Sequence, residues 1–273
     1  MPPRPSSSGS CCDATPGEGA LVGAPTDCES DGRVASTPVS GGTGQPGSPT
    51  PAPGQGRPRG LYTGVEASDV WYQTPRGQAV LAMELDALRP LVDRFPAPRI
   101  EIGVGTGRFA QALDCGYGLD PSEEALALAG RRGITGICGV GEALPLASAR
   151  FGAVLLTFTL CFLDDPHSAL AEAARTLVDG GGVVVGFLPT GGPWAELYAE
   201  RGRQGHPVFR HARFHSVTDV QDLLTGAGFD VVASRSTLRQ PPGLDRYTVE
   251  TAQDGVDPDA GYVVLSAVAP PRG

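Results

Sequence analysis

Apolar residues recur along this chain in two rhythms that alternate in a regular order. Between Arg76 and Phe95, Val80, Met83, Leu85, Leu88, Leu91 and Val92 return at near-helical spacing, predicting an amphipathic entry helix that Pro90 bends or divides. After Pro96 and Pro98 the rhythm shortens to RIEIGV, a strand, and a glycine turn opens the helix RFAQAL. The alternation repeats: GYGLD ends a strand, SEEALALAGRRG is helical, and ITGICGV is a strand. FGAVLLTFTLCFL is a continuous apolar run suited to a buried parallel strand. PHSALAEAARTLVDGG then reads as a helix and GVVVGFL as a strand, followed by the helix SVTDVQDLLTGAG and the strands FDVVASRSTL and GYVVLSAVA. Strands separated by helices of this length need right-handed crossovers, so the pattern predicts an α/β, doubly wound, mostly parallel sheet with helices on both faces. The last two strands are joined by a polar loop and not by a helix, which predicts an antiparallel C-terminal edge.

Residues 1–60 carry neither rhythm. They are rich in Gly, Pro and Ser and offer little to bury, so they are expected to form a disordered, low-complexity extension. A passive tail and a docking segment both fit that composition. One domain over 61–273 remains. Of the six cysteines, Cys11, Cys12 and Cys28 lie in the extension, and Cys115, Cys138 and Cys161 stand singly in apolar stretches without a CxxC pair. This usage predicts reduced cysteines in a cytoplasmic protein and no metal site. The start of the chain lacks the apolar core of a secretory signal. Its longest apolar run, Ala153 to Leu163, is far below the ~20 residues that cross hydrocarbon as a helix, so no membrane partner is expected. A formal net charge of -9 argues against nucleic acid as the main partner.

In a doubly wound sheet the ligand site lies beyond the carboxyl ends of the strands. There the chain places Glu101-Ile102-Gly103-Val104-Gly105-Thr106-Gly107-Arg108. A dinucleotide fingerprint requires a third glycine where Arg108 stands, and this weakens a nicotinamide-dependent oxidoreductase as the alternative. A sharp strand-to-helix corner also uses glycine for steric reasons alone. Seventeen residues after Gly103, Asp120 ends the second strand in GLDPS. Its carboxylate either accepts both hydroxyls of a ribose or caps the helix that Pro121-Ser122-Glu123-Glu124 begins.

Four motifs in order, EIGVGTGRF, GLDPS, GEALPL and RTLVDGGGVVVGF, closely resemble those of the S-adenosylmethionine-dependent methyltransferases with a Rossmann-like seven-stranded fold. The resemblance covers about residues 61–273 and is strongest from Arg99 to Leu188. It implies S-adenosyl-L-methionine as cofactor. Gly103, Gly105 and Gly107 would let the backbone approach its methionine part, with Glu101 supporting the loop and Asp120 on the ribose. Val140, Gly141 and Glu142 would flank adenine. Many relatives carry Asp where Val140 stands, so that contact is altered here, and capping or bracing the loop is the other role open to Glu142. The segment from Thr157 to Cys161 would face the methionine portion and the acceptor. It lacks the Asn/Asp-Pro-Pro-Tyr sequence of nucleic-acid and glutamine methyltransferases, which points to a small-molecule acceptor. A cofactor-binding module without transfer activity is the other reading.

Displacement at a sulfonium needs donor and acceptor held in line with water excluded, and it requires no protein nucleophile. A base helps when the acceptor must lose a proton, and His206, His211 and His215 fall in one segment. His206 and His211 are candidate bases, and Arg213 is a candidate anchor for an anionic acceptor. Ordinary surface or core histidines fit the same positions. Tyr62, Trp71, Tyr72 and Tyr198 either wall the acceptor pocket or pack the entry helix. The segments Tyr62 to Arg76 and Trp194 to His215 are expected to form a lid over the strand ends.

Overall fold

A computed structural model of the chain describes residues 65–271, so the expected extension over 1–60 and Tyr62 lie outside the described residues. Helix α1 spans Val65–Gln73 and α2 spans Pro75–Val92. Thr74 separates them, its Oγ1 capping α2 by accepting from the Gly77 N–H at 3.1 Å. Pro90 neither divides nor ends α2, which runs on to Val92. Proline leaves the Asp86 carbonyl without its intrahelical donor, and the Arg235 guanidinium takes that carbonyl instead. The Asp86 carboxylate accepts from the Ala252 N–H at 2.8 Å, so the entry helix is sewn to the C-terminal edge.

The remaining elements are β1 (Arg99–Ile102), α3 (Arg108–Ala112), β2 (Tyr117–Asp120), α4 (Glu123–Arg131), β3 (Thr135–Cys138), β4 (Phe151–Thr157), α5 (Pro166–Thr176), β5 (Leu177–Phe187), α6 (Pro193–Arg203), α7 (Val217–Gly226), β6 (Asp230–Thr237), β7 (Gln253–Asp254) and β8 (Tyr262–Val268). Among the described residues the sheet has eight strands in the order β3-β2-β1-β4-β5-β8-β6-β7. The first five are mutually parallel, and β8, β6 and β7 pair antiparallel. Seven strands match the expected architecture. The eighth is the two-residue β7, pairing Gln253 and Asp254 with Ser236 and Arg235 inside the loop expected to be irregular.

Two further boundaries differ from the expected ones. The apolar run after Phe151 stops being strand at Thr157, because Phe158 turns to φ 58° and the chain enters a 3-10 turn over Leu160–Phe162. Helix α5 stops at Thr176, and the stretch read as its tail opens β5, where Gly180 at φ 75° cannot continue a helix. Successive residues of β4 feed opposite faces of the sheet. Ala153 and Leu155 pack with α2, whereas Val154 and Leu156 pack with α5 and α7. Each such buried side chain contributes about 1.5–3 kcal/mol. The two cores fix the strand ends as a rigid rim.

Candidate functional site

At the carboxyl end of β1 the chain turns through Gly103 at φ 72°, and the Gly103 and Val104 N–H groups donate to the Leu119 carbonyl at 2.7 and 3.0 Å. A Cβ on Gly103 would lie 2.4 Å from Thr159 Oγ1, and one on Gly107 would lie 3.0 Å from Ala129 of α4. Both are packing glycines. Gly105 differs: at φ 51° a Cβ there would meet nothing within 4 Å, so its backbone faces open space.

Asp120 ties this turn to β2. Its Oδ2 accepts from the Gly105 N–H and its Oδ1 from the Ser122 N–H, both at 2.9 Å. The N-cap of α4 is Ser122, whose Oγ accepts from Ala125 N–H, so Asp120 is not the helix cap. Burial pushes the Asp120 carboxyl upward while the two N–H donors pull it down, leaving it raised. Glu101 is buried one residue inside β1 and is pushed up to about 8 by that burial, with the Ala110 N–H opposing. Its Oε2 and the Thr157 Oγ1 are buried without a hydrogen-bond partner among the described residues. Buried polar atoms of this kind are uncommon and mark a place where something else bonds.

These groups floor a cavity of about 620 Å³, within the range of ligand sites. Its roof comes from α1 and from the segment 193–215. Asp69 of α1 latches the roof to the floor, bonding Thr106 Oγ1 at 3.0 Å, Arg108 at 2.7 Å and Arg132 at 2.8 Å. Burial raises the Asp69 carboxyl, but the Arg108, Arg132 and Thr106 bonds outweigh it and hold it below the ordinary aspartate range. Edge and tilted ring contacts continue inward from Tyr72 to Phe109 (5.8 Å), Phe158 (5.7 Å) and Tyr262 (5.0 Å). Across the cavity Tyr198 packs on Phe209 at 4.5 Å. Glu84 of α2 also lines the space. It is 3% exposed, accepts from the Tyr72 hydroxyl at 3.0 Å, and burial pushes it up to about 8 against that bond.

Of the site residues read from sequence, the cavity brings together Glu101, Gly103, Gly105, Asp120, Thr157 and His206. Gly107 packs under the turn. Val140 is exposed, Gly141 packs toward Ile102 and Leu163, and Glu142 accepts from the Asp164 N–H at 2.9 Å; none of these three lines the cavity. His211 and Arg213 lie off the wall, with His211 bonded to Arg210 Nε at 2.8 Å and Arg213 exposed. His206 Nδ1 accepts from the Val208 and Phe209 N–H groups at 3.3 and 3.4 Å, so its neutral ring carries the proton on Nε2. His215 lines the cavity, and burial, aided by Arg213, holds it below the ordinary histidine range against Asp219 and the Leu160 carbonyl. Sequence reasoning set aside His215 and did not single out Asp69 or Glu84. The available signal for Glu84 was its place four residues from both Val80 and Leu88, on the buried stripe of α2. Among the described residues no cluster of His, Cys, Asp and Glu could hold a metal ion, and no helix is long and apolar enough to cross a membrane.

A parallel sheet with a glycine turn, a strand-end carboxylate and a roofed cavity is the arrangement of α/β proteins that bind nucleoside-containing cofactors at their strand ends. Residues 100–185 match the methyltransferase domain family. A solved structure from Thermotoga maritima, titled a SAM-dependent methyltransferase and possible histamine N-methyltransferase, is 32% identical with a TM-score of 0.68, covering 75% of this chain and 95% of that one. An uncharacterised Mycobacterium tuberculosis protein is 54% identical over 202 residues, 74% of this chain and 71% of that protein. The malonyl-[acyl-carrier protein] O-methyltransferase of Hahella chejuensis is 32% identical over 144 residues, 49% of this chain and 50% of that protein. The chain belongs to the S-adenosylmethionine-dependent methyltransferases, and S-adenosyl-L-methionine is its cofactor.

Proposed function

We propose that the protein transfers the methyl group of S-adenosylmethionine to a small-molecule acceptor. One observation carries this reading: the roof formed by α1 and the segment 193–215 encloses the same 620 Å³ space that the glycine turn floors. Donor and acceptor then share one walled chamber, which suits a small acceptor better than a nucleic-acid or protein surface. The names of the similar proteins do not agree on an acceptor: the possible histamine N-methyltransferase supports a free small molecule, whereas the malonyl-[acyl-carrier protein] O-methyltransferase is named for a small acyl group borne on a carrier protein.

The residues fit the cofactor. A carboxylate offers about four acceptor sites, and Asp120 uses two on Gly105 and Ser122, which leaves two for the ribose hydroxyls. Gly105 leaves its space open for the methionine portion, and the unpartnered Glu101 Oε2 and Thr157 Oγ1 supply polar contacts below it. Val140 to Glu142 flank adenine through the exposed loop after β3. When bound, the cofactor supplies a methyl group on a positively charged sulfur. The chain's own residues exclude water with the aromatic roof and orient the acceptor. Where the acceptor loses a proton, His215 is the better base than His206, because burial holds it below the ordinary histidine range and it donates one ring N–H to the Leu160 carbonyl, leaving the other nitrogen to accept, whereas His206 Nδ1 is taken by the Val208 and Phe209 N–H groups.

The test supplies the full chain with methyl-labelled S-adenosylmethionine and a cell extract separated into small-molecule, protein and RNA fractions. Label should enter the small-molecule fraction. Label confined to protein or RNA would overturn the reading.

A further inference from the structure

Asp120 and Asp69, two carboxylates of this cavity, have firm partners: two backbone N–H groups for the first, two guanidiniums and a hydroxyl for the second. Glu84 does not. It is 3% exposed, lines the cavity, and among the described residues receives one hydrogen bond, from Tyr72. Its surroundings come from the roof and the antiparallel part of the sheet, with Tyr72 on α1, Tyr198 on α6 and Tyr262 on β8 all feeling its charge. None belongs to the glycine turn, so Glu84 sits on the acceptor side of the chamber.

We propose that Glu84 is the recognition group of that side and that the acceptor carries a basic amine, its ammonium seated against the Glu84 carboxylate among the rings of Tyr72 and Tyr198. This rests on the small-molecule reading above. A buried carboxylate is costly unless paired, and a cation from solution is the partner the fold withholds. The rings suit the same charge, since aromatic faces attract cations. The protein's own guanidiniums already use these two tyrosines, Arg108 and Arg201 each lying 5.5 Å from a ring centroid. Arg108 shares the Asp69 carboxylate with Arg132, and Arg201 lines the cavity mouth while remaining exposed to solvent. A neutral acceptor leaves Glu84 with Tyr72 alone.

Proton release accompanies the seating of an ammonium. Near pH 7 Glu84 is protonated in the empty chamber, being pushed up to about 8 by burial. Tyr198 is pushed to about 12, and Tyr72 and Tyr262 lie well above the ordinary tyrosine range, so none of the three tyrosines around Glu84 supplies that proton; Glu101, Asp120, His206 and His215 line the same cavity.

Calorimetry on the full chain, saturated with S-adenosylhomocysteine, tests this with two pairs of probes: phenethylamine against 2-phenylethanol, and cyclohexylamine against cyclohexanol. Each amine should bind about tenfold tighter or better than its alcohol and release about one proton at pH 7, read from the dependence of the heat on buffer ionisation enthalpy. Glu84→Gln should bring the affinity ratio close to one and remove the proton release. Alcohols binding as tightly as amines would overturn the amine proposal while leaving a small-molecule chamber in place. An amine preference that survives Glu84→Gln would remove Glu84 from the role. No binding of any probe to a protein that binds S-adenosylhomocysteine would overturn this proposal and count against the small-molecule reading too. The probe pairs and the proton release use the unaltered protein and decide the matter even if the variant does not fold.

Discussion

The floor and the roof of the cavity are built by different means. On the floor, backbone geometry dominates: glycines at positive φ, N–H groups zipped to Leu119, and one carboxylate held by two further N–H groups. In the roof, side chains dominate: a relay of aromatic rings, a latch of Asp69 with two arginines, and a buried Glu84 with a single tyrosine partner. A backbone cradle suits the part of a ligand that never changes, and a side-chain wall suits the part that differs between relatives. On the proposed function, the floor would hold the cofactor common to methyltransferases and the roof would read the acceptor.

Breaking the floor should have the largest effect. Gly105→Val fills the one open position of the turn and should weaken S-adenosylhomocysteine by about 100-fold or more, about 2.7 kcal/mol, in calorimetry. Gly103→Ala instead drives a methyl into Thr159 and should cost mainly folding stability, read as a lower Tm. If the two variants behave alike, the distinction between packing and ligand-facing glycines is lost.

The buried carboxyls give floor and roof a shared pH signature. Glu84 and Glu101 are both raised to about 8, so between the ordinary glutamate range and pH 8 the folded protein binds protons that the unfolded chain has released. The contribution of these two carboxyls to the stability of the cofactor-free protein is thus full below about pH 4.5, falls as pH rises toward 8, and levels off above it, by a few kcal/mol per carboxyl in order of magnitude, whereas Asp69, held below the ordinary range, loses its contribution only as pH falls. Denaturant unfolding across that window should show the slope, and Glu84→Gln should remove about half of it. A flat profile would mean that neither carboxyl is held neutral.

Releasing the latch should have a smaller effect. Asp69→Ala strands two partly exposed guanidiniums and should cost about 1–2 kcal/mol, with faster hydrogen exchange in α1 and little change in the sheet. Equal protection of α1 in both proteins would show that packing alone holds the roof. Smallest of all are the effects along the segment 206–215. With an acceptor that must lose a proton, His215→Phe should slow turnover by about tenfold at pH 7, whereas His211→Ala and Arg213→Ala should leave it within about twofold.

The same contrast explains what could be read from the sequence. The floor was legible because its demands fall on residue type at fixed spacing: Gly103 and Gly105 for the turn, Asp120 at the end of the next strand. The order of strands was legible from apolar runs between helices. The roof was not. Helix α1 is nine residues long, too short for a periodicity reading, and Asp69 matters through Thr106, Arg108 and Arg132, which the fold brings to it. Glu84 interrupts the apolar stripe of α2 as a charge, and only the aromatic neighbours from α1, α6 and β8 turn that interruption into a site. The choice of His215 over His211 depends on which side of a short 3-10 turn, Phe209–His211, faces the cavity, and local sequence carries no signal for that. The small β7 follows from pairing with Arg235 and Ser236, a non-local contact.

The division between floor and roof is tested most directly by titrating S-adenosylhomocysteine into the wild-type protein, Asp120→Ala and Glu84→Gln side by side. Asp120→Ala should weaken binding by about 1.5–3 kcal/mol, the scale of hydrogen bonds to a charged group, while Glu84→Gln leaves the affinity within about twofold. Unchanged affinity in Asp120→Ala, or an equal loss in both variants, would contradict a cofactor held by the strand ends and an acceptor read by the roof.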